Sequence, residues 1–190
     1  MKTLILYDSD SRQYQGLDLC RRTQEAVQNA GSEVQAIALY GDEIRPCLGC
    51  FGCWVKTPGL CVMTEDCVNS VARQEIQSDA LVILSKITYG GYSYDIKSFL
   101  DRSIPNISPL FEVVDNTMRH KMRYERFPDM ISIGYGAPGP AERQTFINLA
   151  AHNAMNMRPV KHFAFAAQNT DEFEETMKSL EAIINREVQS

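Results

Sequence analysis

The chain predicts an α/β domain: a doubly wound parallel sheet of five strands with helices packed on both faces. Three observations carry this expectation. Five short apolar, β-branched runs alternate with segments whose apolar residues recur at helical spacing. The runs carry almost no charge, as strands buried on both faces require. With 190 residues, 44% hydrophobic and 23% charged, the composition excludes a disordered, collagen-like or coiled-coil chain and suits a single domain over 1–190.

The elements follow in order. Lys2-Thr-Leu-Ile-Leu-Tyr7 is the first strand, cut off by the turn-forming Asp8-Ser-Asp-Ser11. Leu19, Cys20, Thr23, Ala26, Val27 and Ala30 form one helical stripe, and Gly31 stands where a left-handed residue ends a helix. Residues 32–39 and 80–85 read as the second and third strands. Between them lies a cysteine-rich loop, 47–67. A helix follows, with Asp66 as its expected N-cap and Val68, Val71, Ala72 and Ile76 on its buried stripe. Ile96, Phe99, Leu100 and Ile104 share a helical face ahead of Pro105. The stretch 106–129 reads as an irregular insertion, too long for an ordinary loop, that is functional or holds short elements. Met130-Ile-Ser-Ile-Gly134 is the fourth strand, 142–157 a helix, and 160–166 the fifth strand. The last helix is expected to be capped by Asp171 with Glu174 reaching back, burying Phe173, Met177, Leu180, Ile184 and Val188.

Composition also limits function. A net charge of -5 argues against nucleic-acid or anionic-membrane partners. The longest clean apolar run, 80–84, is far below the ~20 residues of a membrane span, and the first seven residues reach Asp8 too soon for a signal peptide. A cytoplasmic protein is expected. Six cysteines in a reducing compartment then point to metal ligation or redox chemistry in preference to disulfides.

In an open parallel sheet, ligands bind beyond the carboxyl ends of the strands where the strand order reverses. Three loops meet that description, 8–16, 86–94 and 135–140, each rich in glycine or hydroxyl side chains. This is the architecture of a flavin mononucleotide (FMN) site, in which the first loop and helix N-terminus hold the phosphate and the other two loops flank the ring. Ser9, Ser11 and Arg12 are assigned to the phosphate. The backbone of Thr88, Tyr89, Gly90, Gly91, Tyr92 and Ser93 is assigned to the ring edge, with Gly136 and Gly139 on its other side.

Tyr89-Gly-Gly-Tyr-Ser-Tyr-Asp-Ile-Lys-Ser-Phe-Leu-Asp-Arg102, preceded by Ile83-Leu-Ser85, resembles the ring-binding loop and following helix of the flavodoxin-like NAD(P)H-dependent FMN reductases. With Cys47-Leu-Gly-Cys-Phe-Gly-Cys-Trp54 and Lys56-Thr-Pro-Gly-Leu-Cys61 it is similar to the branch that includes the iron-sulfur flavoproteins, and the segment order agrees over nearly the whole chain. The resemblance implies a flavodoxin-like three-layer sandwich with strand order 2-1-3-4-5 and two-electron flavin chemistry. It also implies NAD(P)H as donor, and a homodimer or homotetramer with flavin sites near the subunit contacts. Two positions depart from the family pattern. In place of a Gly-Ser-Pro-Arg phosphate loop the chain has Asp8-Ser-Asp-Ser-Arg-Gln-Tyr-Gln-Gly-Leu-Asp18, whose aspartates repel a phosphate dianion. Lys86 stands where the family's ring loop carries a proline.

Cys47, Cys50, Cys53 and Cys61 have spacings that suit a [4Fe-4S] cluster, because three thiolates on a turning loop can converge while the fourth arrives from beyond Pro58-Gly59. A closed zinc site and metal-free structural thiols are the other two readings. Cys20 falls on a buried stripe and reads as core; Cys67 is open to either role. Tyr89 and Tyr92 read as ring-lining residues, while Tyr94 and Trp54 suit either a cofactor shield or a packing anchor. Arg119-His-Lys-Met-Arg-Tyr-Glu-Arg126 concentrates positive charge that suits a nicotinamide nucleotide or an exposed subunit edge. His152 and His162 read as structural. The expected function is an FMN-dependent oxidoreductase that passes electrons from NAD(P)H to a small acceptor such as a quinone or a flavin. No side chain is required as acid or base, and an iron-sulfur relay would be an addition. The alternative is a non-catalytic thiol sensor or metal-binding protein on the same scaffold.

Overall fold

The structure is a computed structural model and describes residues 1–189. Five strands form one parallel sheet in the order β2-β1-β3-β6-β7: β1 (Lys2–Asp8), β2 (Glu33–Leu39), β3 (Ala80–Lys86), β6 (Asp129–Tyr135) and β7 (His162–Ala167). The labels differ from the expected 2-1-3-4-5 because two further strands, β4 (Ile107–Val114) and β5 (Thr117–Met122), intervene as an antiparallel hairpin. The chain reverses direction across the sheet between β1 and β3, which places the topological switch point beyond Tyr7 and Leu84, two residues that pair in register.

Alternation along each strand sorts the core into two layers. From β1, Leu4 and Leu6 face α3 (Val68–Gln77), α4 (Tyr94–Leu100) and α5 (Pro140–Met157), where Val71, Phe99 and Phe146 are buried with them. Ile5 and Tyr7 face α1 (Leu19–Asn29) and α6 (Thr170–Val188), among Val27, Phe173 and Leu180. Cys20 lies in this second layer as expected, and Gly31 ends α1 with φ +84.

Several boundaries move, each for a local reason. Asn169 caps α6 in place of Asp171: its side chain accepts from the Glu172 amide at 3.0 Å, and Glu172 reaches back to the Gln168 amide at 3.0 Å. The same capping box has formed two residues earlier, where asparagine supplies the acceptor. Asp66 lies one residue ahead of the α3 cap, Cys67, although it still accepts from the Val68 amide at 3.2 Å. The insertion at 106–129 is organised by the β4–β5 hairpin, turned by Asp115 and Asn116, both at positive φ. No helix among the described residues is long and apolar enough to cross a membrane.

Candidate functional site

The three expected loops do meet at the carboxyl rim of the sheet, around Asp8. This last residue of β1 is 1% exposed. Its Oδ1 accepts from the Ser11 amide at 3.1 Å and from the Tyr135 hydroxyl at 2.6 Å, and its Oδ2 accepts from the Lys86 amide at 2.6 Å. Burial pushes its carboxyl up, while hydrogen bonds from Tyr135, the Lys86 amide, Ser93 and the Ser11 amide pull the other way. Burial, reinforced by the neighbouring Asp8 charge, raises the Tyr135 phenol. Lys86 Nζ pairs with Asp10 at 2.7 Å. Tyr14 stands edge-on to Tyr135, 4.9 Å between ring centres, and against Gly136, where an added Cβ would approach the Tyr14 ring to 3.2 Å.

The residues expected at a phosphate have other partners. The Ser9 amide and hydroxyl both donate to Asp95 Oδ2, at 3.0 and 2.8 Å, and Asp95 Oδ1 accepts from the Gly41 amide at 2.9 Å. Burial opposes ionisation of Asp95, yet the bonds from Ser9 and Gly41 prevail and hold its carboxyl below the usual range. Ser11 is fully buried, its hydroxyl donating to the Asp8 carbonyl at 2.7 Å. Arg12 bonds the Tyr7 hydroxyl. At the α1 N-terminus the Asp18 carboxylate takes the Arg21 amide at 2.9 Å. The Ser9, Ser11 and Arg21 amides and the Ser9 hydroxyl are therefore turned onto carboxylates, while the Ser11 hydroxyl and Arg12 go to a backbone carbonyl and a phenol.

The ring loop is partly as expected. Thr88 and Gly91 exchange backbone bonds of 3.0 and 2.9 Å and close a tight turn. At its tip Tyr89 (φ +52) and Gly90 (φ +77) are left-handed, and Tyr89 is 93% exposed. Gly90 is required there, since a Cβ would come within 2.7 Å of Thr145 on α5. Ser93 donates its amide to Ser85 at 2.9 Å. Tyr92 is not a ring-lining residue. It is buried in the core, edge-on to Phe146 at 5.2 Å, because the strict turn at 88–91 throws its side chain inward. Tyr94 instead covers Gly41. Gly136 donates its amide to the Ala167 carbonyl at 3.1 Å, whereas Gly139 has open space where a Cβ would stand.

The four cysteines are not assembled. Cys47 and Cys50 are exposed, Cys53 is buried and Cys61 half-buried. Among the described residues no group of three His, Cys, Asp or Glu side chains is arranged to hold a metal ion. The donor set as folded does not fit a cluster or a zinc ion. Burial, with Cys61, Cys47 and Cys50 nearby, pushes the Cys53 thiol up, and burial beside Asp66 does the same to Cys67. What pins this loop went unnoticed in the sequence. Arg102, 1% exposed, reaches Asp66, the Arg45 carbonyl at 3.2 Å, the Met63 carbonyl at 3.0 Å and Cys61 Sγ at 3.3 Å. Asn69 exchanges bonds of 2.8 and 2.9 Å with the Cys61 backbone. Trp54 is a packing anchor: its Nε1 donates to the Ile104 and Ile107 carbonyls at 3.3 and 3.2 Å, and its ring lies between Phe51 and His120. The basic segment 119–126 is spent on the hairpin and its surroundings, with Arg123 donating to the Ile107 carbonyl at 3.3 Å and Arg126 paired with Asp79 at 3.1 Å.

A second cavity, about 320 Å³, opens between α4 and α5 under Ile83, Leu100, Met130 and Met157. Glu75 lines it. Burial pushes that carboxyl up to about 8, against a single hydrogen bond of 2.8 Å from Asn106.

The sequence profile of the NADPH-dependent FMN reductases matches residues 1–172. The chain belongs to that family. Among curated proteins it is similar to an iron-sulfur flavoprotein of Methanocaldococcus jannaschii, 32% identical over 87 residues, covering 46% of this chain and 44% of the relative. The chain spans less than half the length of the curated relatives it matches. Among solved structures it is similar to an NAD(P)H:quinone oxidoreductase from Methanothermobacter marburgensis, with TM-score 0.65, 13% identity, and coverage of 97% of this chain and 96% of that one. A flavodoxin from the domain Archaea superposes with TM-score 0.52 at 15% identity over 100% of both chains. At such identities the likeness is one of fold, and the fold is flavodoxin-like.

Proposed function

We propose that this family member is an FMN-dependent oxidoreductase that takes electrons from NAD(P)H and delivers them to a small acceptor such as a quinone or a flavin. The observation that carries the reading is that the family match runs unbroken across all three rim loops, which the fold brings to one crevice. When bound, a flavin supplies the two-electron chemistry, and the chain supplies position. The ring end of the crevice fits such a group. The amides of Tyr89 and Gly90 have no hydrogen-bond partner among the described residues, Tyr89 stands free of the surface, and Gly139 leaves room beside the fourth loop. Tyr14, braced on Tyr135 and Gly136, would flank the bound ring on that side. The backbone at 88–93 and 136–139 would orient the ring, and no side chain need transfer a proton.

No relay through the cysteines is part of this reading, because the four thiols do not fit a metal as folded. The raised thiols at Cys53 and Cys67 make those two poor candidates for a sensor, which leaves that alternative to the exposed Cys47 and Cys50. The test is anaerobic titration of the purified chain with FMN, then with NADH or NADPH and a quinone. Saturable flavin binding, with loss of flavin absorbance on adding nicotinamide nucleotide and its return with quinone, is the expected result. A chain that takes up no flavin overturns the proposal.

A further inference from the structure

We infer that the anion seat at the head of β1 is filled by the chain's own carboxylates, so that a flavin is held by its ring and its 5′-phosphate adds no affinity: riboflavin and FMN are equivalent ligands. The inference deepens the flavin reading above and rests on it.

In a sheet of this order the phosphate of a mononucleotide takes the amides of the loop after β1 and the first turn of the following helix. Those groups can be followed one by one. Asp95, 86 positions from Ser9 and carried in from α4, takes the Ser9 amide, the Ser9 hydroxyl and the Gly41 amide. A carboxylate that receives three donors through two oxygens imitates one face of a phosphate. Asp8 takes the Ser11 amide, and Asp18 takes the Arg21 amide in the first turn of α1, so that a dianion at the Leu19 and Cys20 amides would face the Asp18 carboxylate. The two cations in reach are engaged as well, Arg12 with Tyr7 and Lys86 with Asp10. A dianion brought here would displace Asp95 and lie among further acidic groups at Asp8, Asp10 and Asp18, with Lys86 already paired to Asp10 and Arg12, held on the neutral Tyr7 hydroxyl, as the remaining cation.

The ring loop is bonded to the first loop. Asp8 Oδ2 is satisfied by the backbone N–H of Lys86, at the position where the family resemblance calls for proline, a residue that has no N–H to give. The acidic first loop and the missing proline are thus one arrangement. It sets carboxylates against the Ser9, Ser11 and Arg21 donors at the phosphate end, whereas no carboxylate takes the amides of Tyr89 and Gly90 at the ring end.

The experiment is equilibrium binding of riboflavin and of FMN to the full chain by flavin fluorescence, on wild type and on Asp95→Ser, which removes the plug while leaving the Ser9 and Gly41 donors in place. Wild type should bind the two flavins with dissociation constants within about threefold of each other, and excess inorganic phosphate should leave FMN binding unchanged. Asp95→Ser should shift the ratio toward FMN by about tenfold, the scale of hydrogen bonds to a charged group. Should wild type prefer FMN by about tenfold or more, the inference falls and the flavin reading stands. Uptake of neither flavin overturns both. An unchanged ratio in a folded Asp95→Ser, verified by circular dichroism, overturns the assignment of Asp95 to the seat. If the variant does not fold, the wild-type ratio and the phosphate competition still decide.

Discussion

Asp8 and Arg102 are both charged side chains with 1% exposure, and they are satisfied in opposite ways. Asp8 sits where three sheet strands end, and two of its donors, the Lys86 amide and the Tyr135 hydroxyl, are delivered by strands in fixed register. Arg102 finds its acceptors on a loop, at Arg45, Cys61, Met63 and Asp66, and its Nε has no partner. Pre-placed donors make the rim rigid without help from a ligand. The cysteine loop is ordered by side chains, Arg102 from just beyond α4 together with Asn69 and Trp54, and not by strands in register. Glu75 marks a third case, with one donor, Asn106, and a carboxyl that stays protonated near neutrality.

Breaking the Arg102 latch should have the largest effect. Arg102→Met leaves Asp66 buried without its partner and should lower unfolding free energy by about 3–5 kcal/mol in urea titration. It should also make Cys53 react with a thiol reagent many times faster under native conditions. If Cys53 stays protected, Asn69 and Trp54 hold the loop without Arg102, and the weight given to Arg102 in the contrast with the rim is wrong.

Glu75 should impose a pH dependence on stability. Its folded pKa lies near 8 and its unfolded value near 4.5, so its stabilising contribution is complete below the unfolded value and is lost as pH rises through the folded one. Between those limits stability should fall by at most ~1.4 kcal/mol per pH unit, and Glu75→Gln should remove that slope. A wild-type curve that is flat from pH 5 to about 8 would show that Glu75 is ionised and paired.

At the rim, Lys86→Pro deletes the amide that serves Asp8 and should cost about 1–3 kcal/mol. Asp8→Ala in the same chain should cost less than the sum of the separate changes, by about 1 kcal/mol, if the two positions act as one unit. Strict additivity would break the comparison at its other end. Gly90→Ala should have the smallest effect, about 1–2 kcal/mol, from a left-handed backbone and a close approach to Thr145. Thr145→Ala removes the Cγ2 contact but keeps the equally close Cβ, so it should restore only a part of that loss, as read from thermal melts.

The sequence revealed most where a pattern is local. Uncharged runs such as Ala80-Leu-Val-Ile-Leu84 can be little else than buried strands, and they place the three rim loops by topology alone. The hairpin escaped notice because Arg119, His120 and Lys121 mask the alternation of β5, although Asp115-Asn116 carried its turn signal. Partners distant in sequence were not legible. Nothing at Asp95 announces a bond to Ser9, and nothing in Asp101-Arg102 announces a guanidinium buried beneath a loop 40 residues earlier. The repulsion expected of Asp8, Asp10 and Asp18 was visible; that carboxylates would occupy the very donors they guard was not.

The Lys86 amide bonded to Asp8 ties together two positions that are far apart in the chain. Proline at position 86 alone strands a buried acceptor, and removing the acid alone leaves inward-facing donors with no acceptor. An engineer who wants to reopen this end of the sheet has to alter both sites at once, whereas the exposed Tyr89 side chain can be exchanged by itself.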